Sequence, residues 1–213
     1  MRQIWTSATV PVMRSSPRSA VYSLDQVSES QFARFAARAG LPGDASPRQV
    51  VNAVRAIPYG RPESRTADGV ISEWKGTCST KHALLAQLLR ERWPELRPRL
   101  VHRVYRVSRE SVIQRHGADA ASAVPDGGLT DVHRYLVITL AGHEETIDVT
   151  FPSGQTWDGR RSMRLACGDG QDFPAGDNPD AGKAALEASY CDPLVREPFI
   201  AALALASQLA EHA

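Results

Sequence analysis

The sequence predicts an α+β fold: helices first, then a mostly antiparallel sheet, then one closing helix. Three observations carry this. Apolar residues recur at helical spacing up to about residue 92, they alternate over 99–107 and again in the hairpin over 133–151, and a last apolar run over 199–210 returns to helical spacing. The order lacks the β-α-β alternation of a parallel sheet, and no internal repeat or low-complexity tract is present.

Residues 1–22 carry Pro11, Pro17 and several Ser and Arg with no clear period, so they read as an N-terminal arm, packed on the domain or disordered. Residues 23–213 read as a single domain. SLDQVSESQFARFAARAG (23–40) is expected to be helical, with Ser28 as cap, Phe32, Phe35 and Ala36 on one face and Gly40 as the stop. SPRQVVNAVRAIPYG (46–60) opens a second helix with Ser46 as cap and Pro47 in the first turn; Val50, Val51, Val54 and Ile57 form its stripe and Pro58 ends it. GRPESRTADG (60–69) reads as a polar loop. The helix from about Cys78 to Arg92 buries Leu84, Leu85, Leu88 and Leu89. RLVHRVYRV (99–107) alternates as a strand, 108–130 reads as irregular with a short helix at SVIQRHG and a turn at PDGG, and HRYLVITLAGHEETIDVTF (133–151) is a hairpin. Residues 152–193 resist assignment, and LVREPFIAALALASQLAEH (194–212) closes the chain as a helix.

At 213 residues the chain can build one sizeable core. With 25 basic and 24 acidic residues its formal charge is +1, so no global field points to nucleic acid or an anionic membrane. A small-molecule, peptide or carrier-bound acyl partner fits better. Three cysteines cannot close a disulfide framework, and no CxxC pair suggests structural zinc or another metal; no cofactor is implied. The N-terminus lacks the apolar core of a secretory signal, and the longest apolar run is too short to span a bilayer, so a reducing, cytoplasmic setting is expected.

The chemistry concentrates in WKGTCSTKHALLAQLLRE (74–91). Thr77 is the expected N-cap and Cys78 the first helical residue, where free N–H groups and the helix dipole favour a thiolate. Gly76 is expected to allow a sharp turn and leave room at the sulfur, and Lys81 to add positive charge if it folds back. The competing reading makes Cys78 a small buried core residue. A cysteine nucleophile wants an imidazole, and that imidazole a carboxylate. Of the histidines, His82 is expected to point along its own helix, His102 to be a satisfied core residue, and His116, His143 and His212 to lie on loops or the terminus. His133 is expected at the first residue of a strand, aimed into a cleft. With a two-residue Ala141-Gly142 turn, Leu140 faces His143 and Asp148 faces Tyr135. His133 and Asp148 are then diagonal neighbours, about 7–8 Å apart at their α-carbons. An aspartate between Ile147 and Val149 needs a partner: His133, a turn or an arginine.

GTCSTKHALL, the strand RLVHRVYRV, His133 and the IDVTFP run together resemble the transglutaminase-like superfamily, within the wider papain-like cysteine enzyme fold. The match covers about residues 55–152. It implies N-terminal helices with the nucleophile helix packed on an antiparallel sheet. It also implies Cys78 as nucleophile, His133 as general base and acid, and Asp148 as the group orienting the imidazole. Arg134 and Tyr135 depart from the small residue and tryptophan common after that histidine, and 108–130 is longer than in compact members. The activity implied is acyl transfer from an amide or thioester through an acyl-enzyme, to water (peptidase or amidase) or to an amine. The Cys78 N–H is the expected oxyanion donor. Trp74, Lys75, Thr77, Lys81, Tyr135 and the 59–66 loop remain as further oxyanion or substrate candidates, with packing as the competing role for Trp74. Three rival readings stand beside this one: an arylamine N-acetyltransferase, though no R-G-G-x-C lead precedes the cysteine; a non-catalytic binding module with Cys78 buried; and a metal site from Cys78, His82 and His133.

Overall fold

The structure is a computed structural model and describes residues 29–152 and 156–211. The expected arm over 1–22, the Ser28 cap and His212 lie outside the described residues. Among the described residues the chain forms seven α-helices and a four-stranded antiparallel sheet, an α+β architecture.

Capping chemistry decides the first helices. α1 (Gln31–Ala39) begins behind Ser30, whose hydroxyl accepts from the Ala33 N–H, and stops at Gly40 in the left-handed region. α2 (Pro47–Ala56) starts with a reciprocal Ser46–Gln49 capping box and Pro47 in its first turn, as its sequence predicts. The expected polar loop over 60–69 is shorter than that: Thr66 caps Gly69 and launches α3 (Ala67–Glu73), whose Val70 and Ile71 are buried. α4 (Cys78–Arg92) has the predicted bounds, with Leu84, Leu85, Leu88 and Leu89 fully buried, each contributing about 1.5–3 kcal/mol. After a single 3₁₀ turn, β1 (Arg99–Val107) follows its predicted limits.

The segment expected to be irregular is largely α5 (Arg109–Ala121), capped by Ser108 and kinked at Gly117, where φ is 86°. Its Val112, Ala120 and Ala121 meet α7 (Pro193–Glu211) in a second apolar cluster with Val107, Leu129 and Phe199. β2 (Leu129–Leu140) starts four residues earlier than expected, because Leu129–Val132 pair with Val104–Val107. His133 is therefore inside the strand and not at its start. β3 (His143–Ile147) returns through Ala141 and Gly142, both at positive φ, with Leu140 opposite His143 as the turn predicts.

The stretch that resisted assignment holds β4 (Gly170–Pro174) and α6 (Pro179–Tyr190). The sheet order is β3-β2-β1-β4. α4 packs on the face bearing Leu100, Leu136, Ile138 and Ile147, and α1 and α2 pack on α4 in the same apolar core. No helix among the described residues is long and apolar enough to cross a membrane.

Candidate active site

Cys78 opens α4, and Thr80 Oγ1 accepts the Thr77 N–H at 3.0 Å, fixing the turn that presents the thiol. Tyr59 bridges to Gly76 in parallel register, with Gly76 N–H donating to Pro58 O and Gly60 N–H to Gly76 O. This short ladder holds the 59–62 segment beside the start of α4. Gly76 is not at positive φ, and a Cβ there would lie 2.6 Å from Lys81 Cγ and 3.0 Å from Thr80 Oγ1. The space expected to admit substrate is thus filled by the protein itself.

Lys81 does not fold back toward the sulfur. It is fully buried, and its ammonium donates to the carbonyls of Arg55 (2.9 Å), Ile57 (2.7 Å) and Thr150 (3.0 Å). One side chain thereby ties the ends of α2 and the hairpin to α4. A desolvated ammonium is tolerated there because carbonyl dipoles satisfy all three of its protons.

His133 and Asp148 come together as the hairpin register requires. Asp148 lies one residue beyond the last pair of β3, and its Oδ2 accepts from His133 Nε2 at 2.8 Å and from the Ala166 N–H at 2.8 Å. Its Oδ1 accepts the Thr150 N–H at 3.0 Å. Burial alone would push the Asp148 carboxyl up, but the His133 charge and these donors hold it well below the carboxylate range. With Nε2 committed to Asp148, Nδ1 is the His133 nitrogen left for the thiol. Burial works against the His133 charge, yet Asp148 and Cys78 raise its pKa well above the ordinary imidazole value.

Burial likewise opposes the Cys78 thiolate. The Lys183 ammonium, then the hydrogen bond and charge of His133, reverse that and bring the thiol down to about 6. The other two cysteines go the opposite way: burial pushes the Cys167 thiol up, and Cys191 up to about 11. Of the three cysteines only Cys78 is shifted toward the thiolate, and the His133 imidazole is shifted toward its protonated form.

His82 takes a part that its position along the helix did not suggest. The Val149 N–H donates to His82 Nε2 at 3.0 Å, so that nitrogen is unprotonated and Nδ1–H donates to the Cys78 carbonyl at 2.7 Å. Burial lowers its pKa to about 4, with His133 adding to the effect and Asp148 opposing it. His82 is neutral, so its 3.6 Å approach to Asp148 Oδ1 is not an ion pair. It joins the backbone of Cys78 to the hairpin that carries Asp148. Both ring nitrogens are in use, which removes the Cys78–His82–His133 metal arrangement. No group of three or more His, Cys, Asp or Glu among the described residues is placed to hold a metal ion.

Two cavities meet at Cys78 and Tyr59. One, of about 110 Å³, is bounded by β1, α5 and α7 and reaches His133, Tyr105, Phe151 and Phe199. The other, of about 270 Å³, lies between the first turn of α4, the 59–65 loop, α6 and α7, and reaches Thr77, Arg65 and Lys183. Trp74 is elsewhere: its ring stacks on Phe35 and carries the Arg38 guanidinium, a packing role. Lys75 pairs with Glu73 at 3.2 Å. Tyr135 stacks behind the His133 ring at 6.5 Å, with Arg103 over its own ring, and backs the imidazole.

A second group of buried charges stands on the other side of His133. Asp131 Oδ1 accepts from Arg196 Nε at 2.6 Å, Arg196 Nη2 donates to Glu187 at 2.8 Å, and Lys183 donates to the same Glu187 oxygen. Sequence reasoning missed these residues. The Asn178–Pro179 start signal could have located α6, but nothing local says that Lys183 lines a cavity with the thiol. No protein-family model, curated protein or solved structure matches this chain.

Proposed function

We propose that the protein is a cysteine-dependent acyl-transfer enzyme of transglutaminase-like type, acting on an amide or thioester through Cys78, His133 and Asp148. The observation that carries this reading is the His133–Asp148 contact of 2.8 Å beside a thiol brought down to about 6, where two cavities meet. The Cys78 thiolate attacks the acyl carbon, and the carbonyl oxygen gathers negative charge near the Cys78 N–H, which has no acceptor within the helix. Collapse breaks the C–N or C–S bond as His133 Nδ1–H protonates the leaving group, leaving a thioester on Cys78. His133 then takes a proton from water or an amine, which attacks the thioester and frees the thiolate. Asp148 keeps the ring oriented and its charge compensated throughout.

A non-catalytic binding module with a buried thiol is the second reading, and the 9% exposure of Cys78 favours it. Alkylation separates the two. Iodoacetamide at pH 6–7 is expected to modify Cys78 in the folded protein far faster than Cys167 or Cys191, and labelling only on unfolding excludes the enzyme. Incubating the parent protein with S-acyl thioester and aryl-ester probes, quenching in acid and mapping acylated peptides by mass spectrometry tests for the acyl-enzyme directly. Releasing it with water or with a primary amine identifies the acceptor.

A further inference from the structure

One buried cation in the cavity that Cys78 lines has no part in that acyl transfer. Lys183 projects from α6 into the larger cavity that Cys78 also lines, and is 5% exposed. Two devices hold α6 against the sheet there. Arg134, the residue after His133, is fully buried and donates to Ser79 O (3.2 Å) in the first turn of α4, to Pro179 O (2.6 Å) at the start of α6, and to His102 Nε2 (3.0 Å). It also pairs with Asp180 at 2.8 Å. Gly182 allows the close approach, since a Cβ there would meet the Ala175 carbonyl at 3.1 Å. The start of α6 is therefore pinned to the start of α4 by one guanidinium, and Lys183, four residues after Pro179, lines the same cavity as the thiol.

We propose that Lys183 is a positioning residue of the nucleophile: from α6 its ammonium holds the Cys78 sulfur as the anion, so the reactive unit is Cys78 set between His133 and Lys183. The inference rests on the acyl-transfer reading and deepens it. The charged and titratable groups that share the two cavities with Cys78 and act on its charge are Lys183 from α6, His133 and Asp131 from β2, Tyr105 from β1, Arg196 from α7 and Tyr59 from its loop. Of the cations, Arg196 is held by Asp131 and Glu187, and His133 by Asp148. Lys183 has Glu187 as its carboxylate partner and shares it with Arg196, which leaves its charge the less fully compensated. Among the influences that favour the Cys78 thiolate, the Lys183 charge is the largest single one, ahead of the His133 hydrogen bond and of the His133 charge taken separately.

The test is the pH dependence of Cys78 alkylation by iodoacetamide in the full chain, followed peptide by peptide from pH 4.5 to 9.5. Lys183→Met leaves Glu187 paired with Arg196, so no carboxylate is orphaned. Its half-point is expected at least about one pH unit above that of the parent, which lowers the rate at pH 6 about fivefold while the high-pH plateau stays. Lys183→Arg is expected to restore most of the shift. Glu187→Gln, which removes the ammonium's carboxylate, is expected to move the half-point down, and it decides the matter if Lys183→Met does not fold. A folded Lys183→Met profile that superimposes on the parent overturns the proposal, as does a Glu187→Gln half-point that stays or rises. A parent Cys78 unreactive at every pH instead overturns the acyl-transfer reading beneath it.

Discussion

Two buried aspartates flank His133, and they are compensated in different ways. Asp148 belongs to a local region: its partners are one imidazole and the amides of Thr150 and Ala166, all within 18 residues of it. Asp131 belongs to a region assembled from afar, because Arg196 lies 65 residues away and brings α6 and α7 with it. The local region sets the orientation of the imidazole. The distant one sets the electrostatic surroundings of the sulfur and walls the larger cavity. Orientation can be built into one hairpin, whereas a field at the thiol needs charges from several elements, which only tertiary packing brings together.

Substitutions can separate the two regions. The largest effects are expected at the reacting atoms: Cys78→Ala and His133→Ala should each lower the acylation rate by about 10³-fold or more, measured by single-turnover release from an aryl ester. Asp148→Ala should cost about 10²-fold or more in that rate. It should also destabilise the fold by about 3–5 kcal/mol in urea titrations, since it leaves three donors buried without their acceptor. Arg196→Met, in the distant region, should cost a similar 3–5 kcal/mol by orphaning Asp131, with a smaller loss of rate at high pH. Equal rate losses for Asp148→Ala and Arg196→Met at high pH would erase the distinction drawn here.

A smaller effect concerns stability against pH. The folded pKa of His82 is about 4, below the ordinary 6.5. Between those values the unfolded chain binds the extra proton, so stability rises with pH across that window and falls on acidification. Full protonation is worth on the order of 3 kcal/mol. His82→Gln should flatten that slope in urea unfolding measured at pH 4, 5 and 6.5; an unchanged slope would assign the acid sensitivity to His102 and His116, whose imidazoles burial brings down to about 3 and about 4. Activity should itself rise as pH passes through about 6, the Cys78 value, because the thiolate is the attacking form. The smallest expected effect is Gly76→Ala, about 1–3 kcal/mol, because Lys81 is pinned by three carbonyls and cannot yield to the added methyl.

What the residues settled by themselves is what depends on neighbours along the chain. Thr77 before Cys78, the leucine stripe of α4 and the Ala141-Gly142 turn specify a helix start, a buried face and a hairpin register, and that register puts Asp148 within reach of His133. Caps and turns act over two to four residues, and pairing is arithmetic once a turn is known. α3 and α5 were harder because their polar surfaces mask short apolar stripes. What only the tertiary structure decided is where long side chains end. Lys81, one turn from the sulfur in sequence, leaves it for three carbonyls; Lys183, more than a hundred residues on, lines the cavity at Cys78 instead; and His82 links the Cys78 carbonyl to the hairpin. A lysine or histidine spans several ångströms and goes to whichever dipoles and charges the fold leaves unsatisfied, and those belong to elements that no local pattern brings into contact.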